Sequence, residues 1–243
     1  MHPTLTVLLY SSVAAATASL GALPLLARAR PTAAWLGWSN ALAAGLMLGA
    51  AYLLLASGGD LAPLAVGAGA ALGIGFAYAS HAVAGTQDLA LNSLHDPSPD
   101  YAAKVLLVHT LHAAPEGVTI GVAMMLSAPL GTLTALAIAA HNIPEATTLS
   151  AILTSRGASV PRAAGLAVTT RVGQVLFAVF AYAVLSAAPA TLPWALGFAV
   201  GALVYLVIAE LLPECYHQTG NTSVAVVTII AMGMVVLLAG WLT

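Results

Sequence analysis

The sequence predicts an all-α integral membrane protein of about eight transmembrane helices. Two observations carry this. Of its 243 residues, 60% are hydrophobic and 6% charged, and the mean hydropathy is +0.98, whereas soluble domains carry roughly a quarter charged residues. Polar and Pro/Gly-rich clusters also cut the chain into apolar runs near the roughly 20 residues that span a bilayer.

The expected helices are 4–27, 33–57, 61–86, 101–126, 129–154, 161–187, 190–212 and 222–242, in a single transmembrane domain, 1–243. Met1-His-Pro-Thr has no basic region ahead of its apolar run, so the first run is read as a retained helix rather than a cleaved signal peptide. Helix two carries Gly45 and Gly49, and helix seven Gly197 and Gly201. Small residues four apart let helices approach closely. Between helices three and four lies a longer connection with Asp88, His95, Asp96 and Asp100. Apolar residues cover nearly every face of the runs, so periodicity does not tell which side meets lipid.

Arg28 and Arg30 fall between helices one and two, Lys104 at the start of helix four, and Arg156 and Arg162 between helices five and six. Cations concentrate in cytoplasmic connections, so these connections are expected inside the cell and both termini outside, in the inner (plasma) membrane. The net charge of −2 and the lack of a basic run leave no footprint for nucleic acid. The single cysteine, Cys215, cannot form an internal disulfide.

Helices four and five each carry one copy of a short pattern: His112-Ala-Ala-Pro115-Glu116-Gly and His141-Asn-Ile-Pro144-Glu145-Ala. His112 and Glu116 are four residues apart and share a helix face, as do His141 and Glu145. Each proline removes an N–H and clashes with the carbonyl four residues back. Pro115 is thus expected to free the carbonyl of Leu111, and Pro144 that of Ala140. Broken helices at mid-depth are a mark of transport sites. Helices four and five meet at a short turn near Ala128 and run antiparallel. At 1.5 Å per residue, His112 lies roughly 24 Å below the turn, Glu116 roughly 18 Å, His141 roughly 20 Å and Glu145 roughly 25 Å. The four side chains are expected in one layer, His112 level with Glu145 and His141 with Glu116. Intramembrane carboxylates are costly and persist where they pair or serve a pathway. Imidazole with carboxylate suits a divalent transition metal. The sequence therefore predicts a metal site between helices four and five.

These residues resemble the ZIP transporters of divalent metals. The resemblance is strongest in the paired motifs, above all in His141-Asn142-Ile143-Pro144-Glu145. It extends to Ala44-Gly45-Leu46-Met47 in helix two and Glu210-Leu-Leu-Pro213-Glu214 in helix seven. It implies transport of Zn²⁺, or of Fe²⁺, Mn²⁺ or Cd²⁺, toward the cytoplasm by alternating access. It also implies that Met47 joins His112, Glu116, His141 and Glu145 as a weak thioether ligand. At a second, adjacent metal site the chain departs from the family. Ala113 stands where the family commonly has Asn, and Thr170 and Arg171 stand where helix six commonly supplies Glu and Pro. Asn142 remains as a weaker ligand, but tight binding of a second ion is not expected. Arg171 lies roughly 15 Å along helix six, and a buried guanidinium should find a carboxylate. It is expected near Glu145 or Glu116, supplying the charge a second metal supplies in relatives.

Weaker candidates lie toward the inner end. His109 shares the face of His112, one turn nearer the cytoplasm; Glu210, Glu214 and His217 would line an exit path at the inner end of helix seven, and His81 and Asp88 approach the same end of helix three. The expected partners are the lipid bilayer, metal ions and a second copy in a homodimer. Two other classes stay open. An intramembrane zinc-dependent hydrolase would need an open coordination position, and a haem-binding electron-transfer protein would use paired histidines. No His-Glu-x-x-His string is present.

Overall fold

The computed structural model describes residues 2–27, 32–86 and 99–242. Arg28, Arg30, Asp88, His95 and Asp96 lie outside the described residues. Among the described residues the regular structure is all helical: α1 (Pro3–Leu26), α2 (Ala33–Ser57), α3 (Pro63–Ala84), α4 (Tyr101–Leu126), α5 (Ala128–Ser155), α6 (Val160–Ala187), α7 (Pro189–Gln218) and α8 (Asn221–Leu242). All but α5 are long and apolar enough to cross a membrane by length and composition. Helix α5 differs because it carries His141, Asn142, Glu145, Thr147, Thr148 and Ser150. All six are withdrawn from the surface of the bundle, with α1, α2, α4, α6 and α8 packed around the helix. A helix enclosed by protein need not match the polarity of lipid.

The ends of the helices follow local rules. Thr32 caps α2 by accepting the Trp35 N–H at 3.2 Å, and Ser127 caps α5 by accepting that of Leu130 at 3.2 Å. Helix α3 starts at Pro63 and stops at Gly85, which takes φ 64°, so it is shorter than the expected 61–86 at both ends. Helix α7 runs to Gln218, past the expected end at 212, because the turn Val207–Leu211 widens to a π-helix just before Pro213. The wider turn accommodates a proline whose ring would otherwise meet the carbonyl four residues back.

Breaks were expected at Pro115 and Pro144, yet both lie inside continuous helices. Two irregular turns fall elsewhere in the polar part of the bundle: at Arg171, between the α-helical segments Val160–Thr170 and Val172–Ala187, and at the π-turn holding Glu210. The first carries the buried Arg171 and the second the half-buried Glu210.

Glycines set how closely the helices approach. A Cβ on Gly73 would lie 2.1 Å from the Phe198 carbonyl oxygen, and one on Gly197 would lie 2.0 Å from that of Val66. Helices α3 and α7 therefore touch backbone to backbone. Gly45 and Gly49 bring α2 against α8, and Gly117 brings α4 against α6 at the Gln174 carbonyl. Helix α1 has a 3₁₀ stretch, Thr17–Ala22, in which Gly21 rests on the Ile143 carbonyl of α5. Gly73→Val is expected to push α3 from α7 and to cost about 1–3 kcal/mol, whereas Gly75, with nothing within 4 Å of its Cβ position, should accept valine nearly unchanged. Thermal unfolding of the two variants in detergent checks this. Equal melting temperatures would contradict the close packing.

Candidate metal centre

Helices α4, α5 and α6 converge on a buried polar centre. One ligand atom each from Glu116, His141 and Glu145 lie within 4.8 Å of one another. Within α5, His141 Nε2 is 3.1 Å from Glu145 Oε2 across one turn, as the four-residue spacing requires. Glu116 is 1% exposed, His141 2% and Glu145 9%. Tetrahedral zinc with bonds near 2.1 Å holds its ligand atoms roughly 3.4 Å apart, so the group reaches that geometry by contracting roughly an ångström.

Arg171 lies against both carboxylates. Its Nη1 donates to Glu116 Oε1 and Oε2, both at 3.0 Å, and its Nη2 is 2.7 Å from Glu145 Oε1. His109 Nδ1 is paired with the same Glu145 oxygen at 2.5 Å. Several polar atoms here are buried without a hydrogen-bond partner: His141 Nδ1, His109 Nε2, Glu145 Oε2, and Nε and Nη2 of Arg171. Buried polar groups are ordinarily satisfied, so the orphaned Glu145 Oε2, 3.1 Å from His141 Nε2, suits a centre that a cation completes.

His112 departs from the expected single layer. It belongs to a second group with His81 of α3 and Glu210 of α7, whose ligand atoms also lie within 4.8 Å of one another. Its Nδ1 is 3.7 Å from Glu210 Oε2, and its Nε2 is 3.1 Å from Ser80 Oγ. His81 Nε2 reaches Glu210 Oε1 at 2.5 Å, its Nδ1 pairs with Thr86 Oγ1 at 2.9 Å, and the two imidazole rings are 5.0 Å apart. The reason is rotational. At 3.6 residues per turn, Glu116 is within roughly 20° of His109 around the helix, whereas His112 is roughly 60° from it. His109 and Glu116 thus face α5 and α6, and His112 turns toward α3 and α7. Glu145 is level with His109 rather than His112.

The other candidates separate. Asn142 Nδ2 donates to the Ala14 carbonyl at 2.7 Å and to Gln174 Oε1 at 3.0 Å, and Gln174 Nε2 donates to the Ser11 carbonyl at 3.3 Å. Asn142 therefore ties α5 to α1 and α6, outside both ligand groups. Met47 is buried in an apolar cluster that includes Leu54, Leu203 and Val207. Glu214 accepts from Gln218 Nε2 at 2.8 Å, and neither it nor exposed His217 joins a ligand group. Asp100 pairs with Lys104 at 2.8 Å one turn on, which holds its carboxyl below the usual carboxylate range. Gln174 and Ser80, uncharged residues in apolar helices, gave no signal in the sequence. His81 gave one, an imidazole near the inner end of its helix.

Residues 98–240 match the family described as ZIP zinc transporter. The chain is similar to the Arabidopsis thaliana protein named putative zinc transporter At3g08650, with 35% identity over 90% of this chain and 36% of that protein. It is also similar to zinc transporter GufA of Myxococcus xanthus, 38% identical over 46% of this chain and 44% of that protein. Human zinc transporter ZIP13 is 30% identical over 46% of this chain and 33% of its own length. The matched segments span about a third to under a half of these relatives.

Proposed function

The chain belongs to the ZIP zinc transporter family, and from that premise we propose that it carries divalent transition-metal ions, Zn²⁺ foremost, across the inner (plasma) membrane toward the cytoplasm. The observation that carries the reading is the convergence of Glu116, His141 and Glu145, buried where α4, α5 and α6 pack together. This is a nitrogen and oxygen donor set that zinc favours and that Fe²⁺, Mn²⁺ and Cd²⁺ also accept. His112, four residues and roughly 6 Å of rise from Glu116, provides a next station with His81 and Glu210. Lys104, Arg156 and Arg162 cluster where α4 begins, α5 ends and α6 begins, and that end is read as cytoplasmic. The second station is the nearer of the two to it. Helix order then leaves the far ends of α1 and α8 on the outer face. Met47 stays a thioether candidate, and Asn142 and Glu214 are not needed.

The intramembrane hydrolase and the haem protein are less well supported, because the relatives are transporters by name. The test is metal flux into sealed vesicles containing the purified chain. Saturable Zn²⁺ uptake, competed by Cd²⁺, Fe²⁺ or Mn²⁺, is expected. A folded protein that moves none of these ions overturns the reading, and ester or peptide hydrolysis in those vesicles without metal movement would favour the hydrolase.

A further inference from the structure

Arg171 is the largest fully buried side chain among the described residues, 1% exposed. It stands in the break of α6 and reaches both carboxylates of the α4 and α5 centre. A guanidinium optimised as a structural tie frequently grips a carboxylate with two parallel N–H bonds. Here a single nitrogen, Nη1, straddles both oxygens of Glu116, while Nε and Nη2 lack a directed acceptor despite their burial. The contact with Glu145 is one of proximity, with Oε1 shared between Arg171 and His109. The geometry is that of a cation seated on two anions more than that of an optimised ion pair.

The same geometry rations the ligands. Both Glu116 oxygens are engaged by Arg171, and Glu145 Oε1 is engaged by Arg171 and His109. An arriving ion finds Glu145 Oε2 and the neighbouring His141, and gains Glu116 only if Arg171 lets go of it. Resting on the transport reading above, we propose that Arg171 is a tethered cation that exchanges with the transported ion for Glu116. Between cargoes the guanidinium neutralises a charge that would otherwise sit uncompensated in low dielectric. When the ion binds, Glu116 turns from Arg171 to the metal, and the displaced guanidinium remains on Glu145. Its return to Glu116 then drives release. Arg171 touches the ligands rather than the cargo, so it sets affinity and turnover without supplying a metal bond.

The test separates binding from flux. With Zn²⁺ and Cd²⁺ as probes, Arg171→Gln is expected to bind at least about tenfold more tightly in detergent, since the competing charge is gone. In vesicles KM falls with Kd, while the maximal rate also falls because release is slowed. Arg171→Lys, which keeps the charge but with one nitrogen cannot straddle Glu116 while reaching Glu145, should bind more tightly than wild type by a smaller factor and recover part of the rate. In a Glu116→Gln background, removing Arg171 should tighten binding far less, because the exchange partner is already absent. If Arg171→Gln does not fold, the Lys variant and the Glu116→Gln/Arg171→Gln pair carry the test. Affinity unchanged or weakened in the folded Arg171 variants overturns the proposal. Wild-type protein that moves no zinc defeats the transport reading, whereas wild-type flux with no tightening in the variants defeats only the exchange.

Discussion

Glu145→Gln is expected to fold and to lose zinc uptake by more than about a hundredfold, exceeding the loss typical of groups that merely support a metal ligand. Glu145 meets three neighbours in the centre: His141 Nε2 approaches one of its oxygens, while His109 Nδ1 and Arg171 Nη2 meet the other. The amide retains an oxygen beside His109 and Arg171 but lacks the charge that offsets the cost of stripping water from a divalent ion. Glu145→Ala removes both roles. Breaking one side of a buried ion pair costs about 3–5 kcal/mol, less here because Glu116 still holds Nη1 of Arg171. Uptake into vesicles read beside thermal unfolding separates the two effects. Alanine lowers both, glutamine mainly the first. Normal zinc flux in a folded Glu145→Gln protein would contradict the site assignment.

The fold was largely legible because its signals are local. Apolar runs of about membrane length, ended by cations, Pro or Gly, give eight helices, and Ser127 and Gly85 end helices as caps do. The pairing of His141 with Glu145 was equally local, being one turn of one helix. Three features were not. The expected breaks at Pro115 and Pro144 did not form, while α6 and α7 became irregular at Arg171 and before Pro213, because the response of a helix to proline depends on neighbours that satisfy the freed groups. The layer joining His112 to Glu145 failed because straight-helix rise fixes depth but not rotation, and roughly 60° around α4 sends His109 and His112 to different helices. The second group depends on α3, α4 and α7 meeting, and in helices apolar on every face the hydrophobic pattern does not tell which helices are neighbours. Arg171, by contrast, was visible as a charge too deep in its helix to reach water, and its two carboxylate partners lie where such a charge would have to find them.

His112→Ala distinguishes one four-ligand centre from two groups in series. If His112 coordinated the ion beside Glu116, His141 and Glu145, alanine would weaken the tighter binding event. With His112 turned to His81 and Glu210, the expected result is different: zinc uptake falls by at least about tenfold, but binding at the Glu116, His141 and Glu145 group persists in detergent. Glu210 keeps His81 as its partner, so the variant should fold. The variant loses the 3.7 Å approach to Glu210, the contact to Ser80 and the His81 ring contact. The pH response should follow the same division. Imidazole binds metal only when neutral and carboxylate only when ionised, so protons compete and affinity falls as pH is lowered. The second group has two imidazoles to one carboxylate and the first has one to two. Mild acid should therefore empty the second group before the first in wild type, and His112→Ala should remove that earlier step. Titrating Zn²⁺ binding at several pH values in both proteins checks this. Loss of the tighter event in His112→Ala would return the histidine to the principal centre, and identical titrations would show that it holds no metal at all.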